Sequence, residues 1–339
     1  MPETAYKDYV DSCSKSHVGE EWPECARYAL PSECDKGHEY AKLILCGKEW
    51  CKTCGEDKSW IHNRRVARWL WRAQKMNGMG LFVIEWPNDS RYKLMDKAAL
   101  SAMGKRIKGA FKALGYERGL RRWHYYGDAG IKYNPHNNVI TDGEYLPPPR
   151  LAEVKAYLRH VLDEPNLIVN YSFRKSPAEM MHTLRYVTRS TFKDESWSYN
   201  IAHAIYGFQN TQYWGGRAVW DGPDEWELDK VPGEPENLAV IGQLEEGICP
   251  QCGGMLKWSK PVPLALIHVV GGEHIGAGYF AIPPPGDPPD RLTSDDMQGI
   301  ENWLAGVKQV ARNIAEDKKA ARYFRPGVQK SLFKGVFYG

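Results

Sequence analysis

Tyr125-Tyr126-Gly127-Asp128, followed after a turn by Pro135-His136-Asn137-Asn138-Val139-Ile140, is the stretch on which the fold turns. Side chains alternate across a strand, so His136 and Asn138 share one face and Asn137 points away. A second strand ending near Asp128 and hairpinned to the first sets a carboxylate beside that pair. An imidazole, an amide oxygen and a carboxylate together suit a hard divalent ion such as Mg²⁺ or Mn²⁺. Asn pairs also mark ordinary turns, so the neighbouring elements decide how the stretch is read.

Those neighbours are orderly. Leu81-Phe82-Val83-Ile84 is a short apolar run of the kind a buried strand carries, ended at Pro87. Asp96 is placed to cap a helix through Leu114, with Leu100, Met103, Ile107, Phe111 and Leu114 as its apolar stripe. A strand over residues 122–126 leads into the His136 strand, Asp142-Gly143 turns, and Pro147-Pro148-Pro149 breaks the chain before a helix over 151–162. A strand over 167–173 follows. Ser176 and Pro177 then open a helix, as cap and first helical residue. The order β-α-β-β-α-β plus a helix predicts an α+β fold, a ferredoxin-like (split βαβ) antiparallel sheet with an extra helix laid against it.

In that last helix His182, Tyr186 and Arg189 fall on one face at i, i+4 and i+7. A tyrosine with a histidine one turn before it and an arginine after it can serve as nucleophile, acid/base neighbour and phosphate clamp. Most helical tyrosines simply pack with the hydroxyl at the rim.

The chain has 339 residues, 42% hydrophobic and 26% charged, which describes a soluble protein with a catalytic domain of ordinary size plus smaller modules. No run approaches the length of a membrane span. The start, Met1-Pro2-Glu3-Thr4, lacks the basic and apolar pattern of a signal peptide, so a cytoplasmic location is expected. The net charge of +3 is small, but the middle is basic (Arg64, Arg65, Arg68, Arg72, Lys105, Arg106, Lys108, Lys112) between acidic flanks, a pattern compatible with nucleic acid as well as with solvated helix faces.

Eight cysteines without a secretory signal point to metal or reduced thiols. Cys46, Cys51 and Cys54 form CxxxxCxxC, and His38 and Cys34 lie just upstream. The favoured zinc site is His38, Cys46, Cys51 and Cys54, because a tight CxxC turn offers two thiolates to one tetrahedral ion. Cys249 and Cys252 form a second knuckle. Its partners stay open: Cys51 and Cys54 across the intervening domain, an upstream ligand such as Cys34, or none in a degenerate ribbon. Cys13 and Cys25 read as ordinary thiols. The expected divisions are a zinc-binding module with a basic helix (residues 60–76) over 1–77, a nuclease-type domain over 78–195, a Trp- and acid-rich segment with the knuckle over 196–259, a Pro/Gly linker over 260–292, and a helical region over 293–339.

With these residues in view, the chain resembles the HUH endonucleases, specifically zinc-bearing rolling-circle replication initiators of plasmids and phages, with single-strand transposases close behind. The resemblance covers roughly residues 46–191. The knuckle Cys46 to Cys54 precedes the catalytic domain as in that family. His136-Asn137-Asn138 takes the place of its His-hydrophobe-His strand, Gly127-Asp128 that of a glycine-acid pair supplying a third ligand, and Tyr186-Val187-Thr188-Arg189 that of Tyr-x-x-Lys. Three positions depart: Asn138 stands for the second histidine, Arg189 for the lysine, and His182 for a glutamate that some members use to activate water. The resemblance implies an enzyme that nicks and rejoins single-stranded DNA through a 5′-phosphotyrosine on Tyr186. It implies a catalytic Mg²⁺ or Mn²⁺ on His136, Asn138 and Asp128, structural Zn²⁺, and origin or hairpin DNA as partner. No GxxxxGK[ST] loop is present, so a separate helicase and a host replication polymerase are expected. A transposase, or a non-catalytic zinc-dependent DNA-binding protein on a decayed scaffold, are the other functions this pattern allows.

Overall fold

Runs of apolar and β-branched residues bounded by turns set the strands, and the polar residues among them set the site. The structure is a computed structural model that describes residues 25–47, 51, 59–127, 133–191, 204–205, 208–220, 223–227, 231 and 235–284. Asp128, Cys13, Cys54 and the helical region expected over 293–339 lie outside the described residues. The protein is α+β with two antiparallel sheets.

The larger helical unit surrounds a five-stranded sheet. Its strands are β3 (Met79–Glu85), β4 (Gly119–Tyr126), β5 (Tyr133–Asp142), β6 (Ile168–Arg174) and β7 (Thr211–Trp214), in the spatial order β6-β3-β5-β4-β7. Helix α2 (Lys97–Ala113) connects β3 to β4, and α3 (Pro148–Leu162) connects β5 to β6. Asp96 caps α2 by accepting from the Ala99 N–H. The three prolines expected to break the chain instead open α3: Pro147 is the cap and Pro148 and Pro149 take the first helical positions, where no N–H is needed. Helix α4 (Pro177–Thr188) begins with a capping box between Ser176 and Glu179.

Both faces of this sheet are covered. Leu100, Ile107 and Phe111 of α2 and Val154, Leu158 and Leu162 of α3 pack on Phe82, Ile84, Trp123, Val139 and Val169. On the other face α1 (Trp60–Ala73) and α4 bury Val66, Leu70, Met180, Leu184 and Val187 against Leu81, Leu120 and Ile140. Each such aliphatic or aromatic side chain contributes roughly 1.5–3 kcal/mol on burial. Strand β4 is buried throughout.

The second sheet joins the two ends of the described chain. Strands β1 (Tyr28–Cys34) and β2 (Glu39–Leu43) pair with β8 (Leu256–Trp258), β9 (Val262–Pro263), β10 (Glu273–Gly276) and β11 (Tyr279–Ile282), and α6 (Leu264–Val269) lies between β9 and β10. Within the zinc-binding module expected over 1–77, residues 28–43 form a β-hairpin. The stretch expected as a Pro/Gly linker carries strands and a helix through residue 282. Proline fits there because, among the described residues, β9 pairs with β1 alone, as an edge strand does. Helix α5 (Pro235–Glu245) links the two sheets, packing on α1. Its Glu245 carboxylate is buried among Arg68 Nε (2.5 Å), Lys42 Nζ (2.9 Å) and the Tyr279 hydroxyl (2.6 Å), with Arg64 Nε at 3.7 Å. Among the described residues no helix is long and apolar enough to cross a membrane.

Candidate active site and metal centres

Polar side chains in central strands carry the site. In the β4–β5 register Arg122 is opposite Asn138 and His124 is opposite His136, and all four side chains lie on the face covered by α1 and α4. His136, Asn138, His124 and Arg122 are buried. Asn137 lies on the opposite face between Trp123 and Ile84, as alternation requires. The register shifts between His124 and Tyr126, where Asn134 and Pro135 form a bulge. Proline fits a bulge because no ladder N–H is lost. The freed Asn134 carbonyl accepts from His136 Nδ1 at 2.8 Å.

That bond fixes the ring. A carbonyl only accepts, so Nδ1 of His136 carries a proton, and in the neutral ring the lone pair is on Nε2. His124 has the opposite arrangement, since its Nε2 donates to the Val187 carbonyl at 2.9 Å and Nδ1 keeps the lone pair. Burial, reinforced by the adjacent His136 and Arg122, holds His124 well below the usual imidazole range and keeps it neutral. The two rings meet edge to face with centroids 5.3 Å apart. Asn138 is fully buried, and neither its side-chain oxygen nor its nitrogen has a hydrogen-bond partner. Leaving an amide in that state costs on the order of 1–3 kcal/mol. An amide with no hydrogen-bond partner, beside two imidazoles, offers atoms of the type that could ligate a divalent ion.

Helix α4 brings the tyrosine to this face. Tyr186 is half-buried, with its ring centroid 5.9 Å from that of His124. The Arg189 guanidinium lies over the Tyr186 ring at 4.4 Å, and Arg122 Nη2 donates to the Arg189 carbonyl at 3.1 Å. His62 of α1 meets the Arg185 carbonyl at 2.9 Å, tying the two helices together. His182 is exposed on α4. His124 was not foreseen. The signal was present: in Leu120-Arg121-Arg122-Trp123-His124 alternation puts His124 on the face of Arg122, and the hairpin then sets it opposite His136.

The cysteines sort differently from their spacing. His38 does not join Cys46 and Cys51. It stands with Cys34, Cys249 and Cys252 in one four-ligand group. His38 Nδ1 is 3.4 Å from the sulfurs of both Cys34 and Cys249, and Cys34 Sγ is 3.6 Å from Cys252 Sγ. A tetrahedral zinc with bonds of about 2.3 Å to sulfur and about 2.0 Å to nitrogen has edges of about 3.8 Å and about 3.5 Å. The observed separations match that size and are far too long for a disulfide. Both knuckles turn on a glycine in the left-handed region, Gly37 (φ 77°) and Gly253 (φ 71°). Burial works to raise the Cys34 thiol, but the His38 and Lys36 backbone N–H groups and the neighbouring thiols bring it down to about 6, favouring the thiolate that binds metal.

Cys46 and Cys51 instead gather with Cys25, which had read as an ordinary thiol; Cys51 and Cys25 sulfurs are 3.7 Å apart. These two clusters can each hold a metal ion. Spacing grouped His38 with Cys46 and Cys51 because two of the three cysteines beside it, Cys249 and Cys252, lie more than two hundred residues away in the chain. The Cys34-Asp35-Lys36-Gly37-His38 knuckle was the legible half. Comparison with family models, characterised proteins and solved structures finds no match for this chain.

Proposed function

We propose that this protein is a metal-dependent, HUH-type tyrosine nuclease and strand transferase acting on single-stranded DNA, built on a ferredoxin-like split βαβ sheet. The observation that carries the reading is the juxtaposition of Tyr186 with His124, His136 and the unpartnered Asn138 on one covered face of the sheet. The strand order β6-β3-β5-β4, entirely antiparallel, supports the fold assignment.

The Tyr186 hydroxyl attacks a backbone phosphorus, the bond from phosphorus to the 3′ oxygen breaks, and the 5′ phosphate stays on the tyrosine. The phenolic proton passes to solvent and the departing oxygen takes one up as a free 3′ hydroxyl. One phosphodiester replaces another, so the reverse reaction rejoins strands without ATP. Arg189, stacked on the tyrosine ring, is within reach of the phosphate oxygens that the attack brings in. His136 Nε2, His124 Nδ1 and the Asn138 oxygen would hold the divalent ion. Such an ion, when bound, polarises the phosphoryl oxygens as a Lewis acid. The two thiol clusters hold structural zinc in this reading. Duplex DNA is opened by a separate helicase, and the 3′ hydroxyl primes a polymerase.

The test is incubation of zinc-replete protein with a labelled pool of single-stranded DNA and Mn²⁺. A denaturation-resistant protein–DNA adduct is expected from the unaltered protein and not from Tyr186→Phe. If the unaltered protein binds DNA but forms no adduct across the pool, the nuclease reading fails and a non-catalytic DNA-binding protein remains.

A further inference from the structure

Arginine is the cation that does not escape burial by losing its proton. Arg121 of β4 is completely buried. Alternation along β4 sets its side chain on the face of Trp123 and Tyr125, under α2 and α3, and away from Arg122 and His124. Its Nη2 donates to Gln212 Oε1 of β7 at 2.6 Å, whereas Nε and Nη1 have no hydrogen-bond partner. Trp123 Nε1, from the next side chain along the same face, is also buried without one. No described carboxylate pairs with the guanidinium. Burial pushes it down to about 10 while the Tyr125 phenol works the other way, so it remains a cation at neutral pH.

Two costs meet at this position. A buried charge without a counter-charge strongly destabilises a fold. Room for it is made by Gly104 in the middle of α2, where a Cβ would overlap the guanidinium. Glycine weakens a helix interior. An apolar side chain at 121 with alanine at 104 would avoid both costs. The surrounding polar groups gather at one edge of the core: the Tyr125 hydroxyl donates to Asn210 Oδ1, and Arg121 donates to Gln212. Strand β7 is the edge strand of its sheet and Gln212 is half-buried, which leaves a short way in from solvent. Water satisfies N–H donors but not a charge. One guanidinium balances one negative charge, and an enclosed site admits a small ion.

We infer that the Arg121 guanidinium, with Trp123 Nε1 on the same strand face, binds a small monovalent anion of the halide class in the core between β4 and α2. The site lies on the opposite face of the sheet from Tyr186, and it stands or falls independently of the nuclease reading.

The experiment is a thermal melt of zinc-replete protein in sodium gluconate, repeated as chloride replaces gluconate at constant ionic strength. A saturable rise in Tm of about 3–5 °C is expected once chloride exceeds its Kd about a hundredfold. Arg121→Met, which is of similar length and removes the charge, is expected to lose the rise. Lys105→Met, at an exposed cation of α2, is expected to keep it. A rise that survives Arg121→Met, or that Lys105→Met loses equally, is general ion screening and overturns the inference. No rise in the unaltered protein means that water serves the donors, and overturns it too. Should Arg121→Met not fold, bromide-soaked crystals of the unaltered protein decide. An anomalous peak in contact with the Arg121 nitrogens sustains the inference. No peak there, or a peak elsewhere that marks an adventitious ion only, overturns it.

Discussion

Asn138 shows how a single residue can be wrong for stability and right for chemistry. It sits fully buried on a central strand, flanked by Val83 and Arg122, with no hydrogen-bond partner for its amide. Leucine has nearly the same shape and no group to desolvate. Asn138→Leu is therefore expected to raise the stability of EDTA-treated protein by roughly 1–3 kcal/mol, the cost of burying an unsatisfied amide. The same change is expected to abolish the upward shift in Tm that Mn²⁺ gives the unaltered protein by binding the folded state. Parallel thermal melts with and without Mn²⁺ check both halves. A variant that is destabilised without metal would mean that Asn138 has a structural partner in solution, and would remove its role as an ion ligand. Sequence made His136 and Asn138 visible because alternation along one strand is local. His124 was harder to see because its relation to His136 is a matter of cross-strand register, which needs the neighbouring strand.

At the scale of elements, the join between α5, α1 and the second sheet rests on one carboxylate. Glu245 accepts from Arg68 and Tyr279 and pairs with Lys42, with Arg64 close behind. Burial alone would raise its pKa, yet Lys42, Arg68 and Arg64 outweigh burial and lower it from 4.5 to about 2. A carboxylate depressed in the folded state stabilises fully above its unfolded value near 4.5 and loses that contribution as pH falls toward about 2. The shift is on the order of 3 kcal/mol. Glu245→Gln leaves the cations without their counter-charge and is expected to cost about 3–5 kcal/mol at neutral pH. Denaturant titrations at pH 7 and near pH 3 measure it: the gap between unaltered and variant protein should narrow at the lower pH. An equal gap at both would assign the loss to packing instead. Elements with local signals were legible here, such as α2 with its Asp96 cap and α4 with its Ser176–Glu179 box. The stretch after residue 260 was not, because proline and glycine mark turns equally well in a linker and in a small sheet with short strands.

At the scale of the whole molecule, a Cys/His cluster that could hold a metal ion joins the two ends of the described chain. Cys34 and His38 on the β1–β2 hairpin meet Cys249 and Cys252 beyond α5, and the five-stranded sheet lies in the chain between them. A crosslink that closes so long a loop restricts the unfolded chain, and a structural zinc contributes its binding free energy to folding directly. Two predictions follow from the pairing of ligands, and they differ from those of a single N-terminal site. Zinc analysis of the purified protein is expected to give two ions per chain, falling to one in Cys249→Ser and to one in Cys51→Ser. Coupling then decides which centre owns His38. If His38 belongs with Cys249, adding His38→Ala to Cys249→Ser costs little further, because the ion is already lost. Adding His38→Ala to Cys46→Ser should instead lose a second ion, and the two stability losses should add to within about 0.5 kcal/mol, as independent sites do. The reverse pattern, additive with Cys249 and redundant with Cys46, would place His38 in the CxxxxCxxC centre and open the clamp. The local spacing of Cys46, Cys51 and Cys54 argues for that arrangement, whereas the antiparallel register of β1 with β2 and β8 carries His38 to the other knuckle. Sheet pairing wins because a ligand's position is set by the strands that hold it.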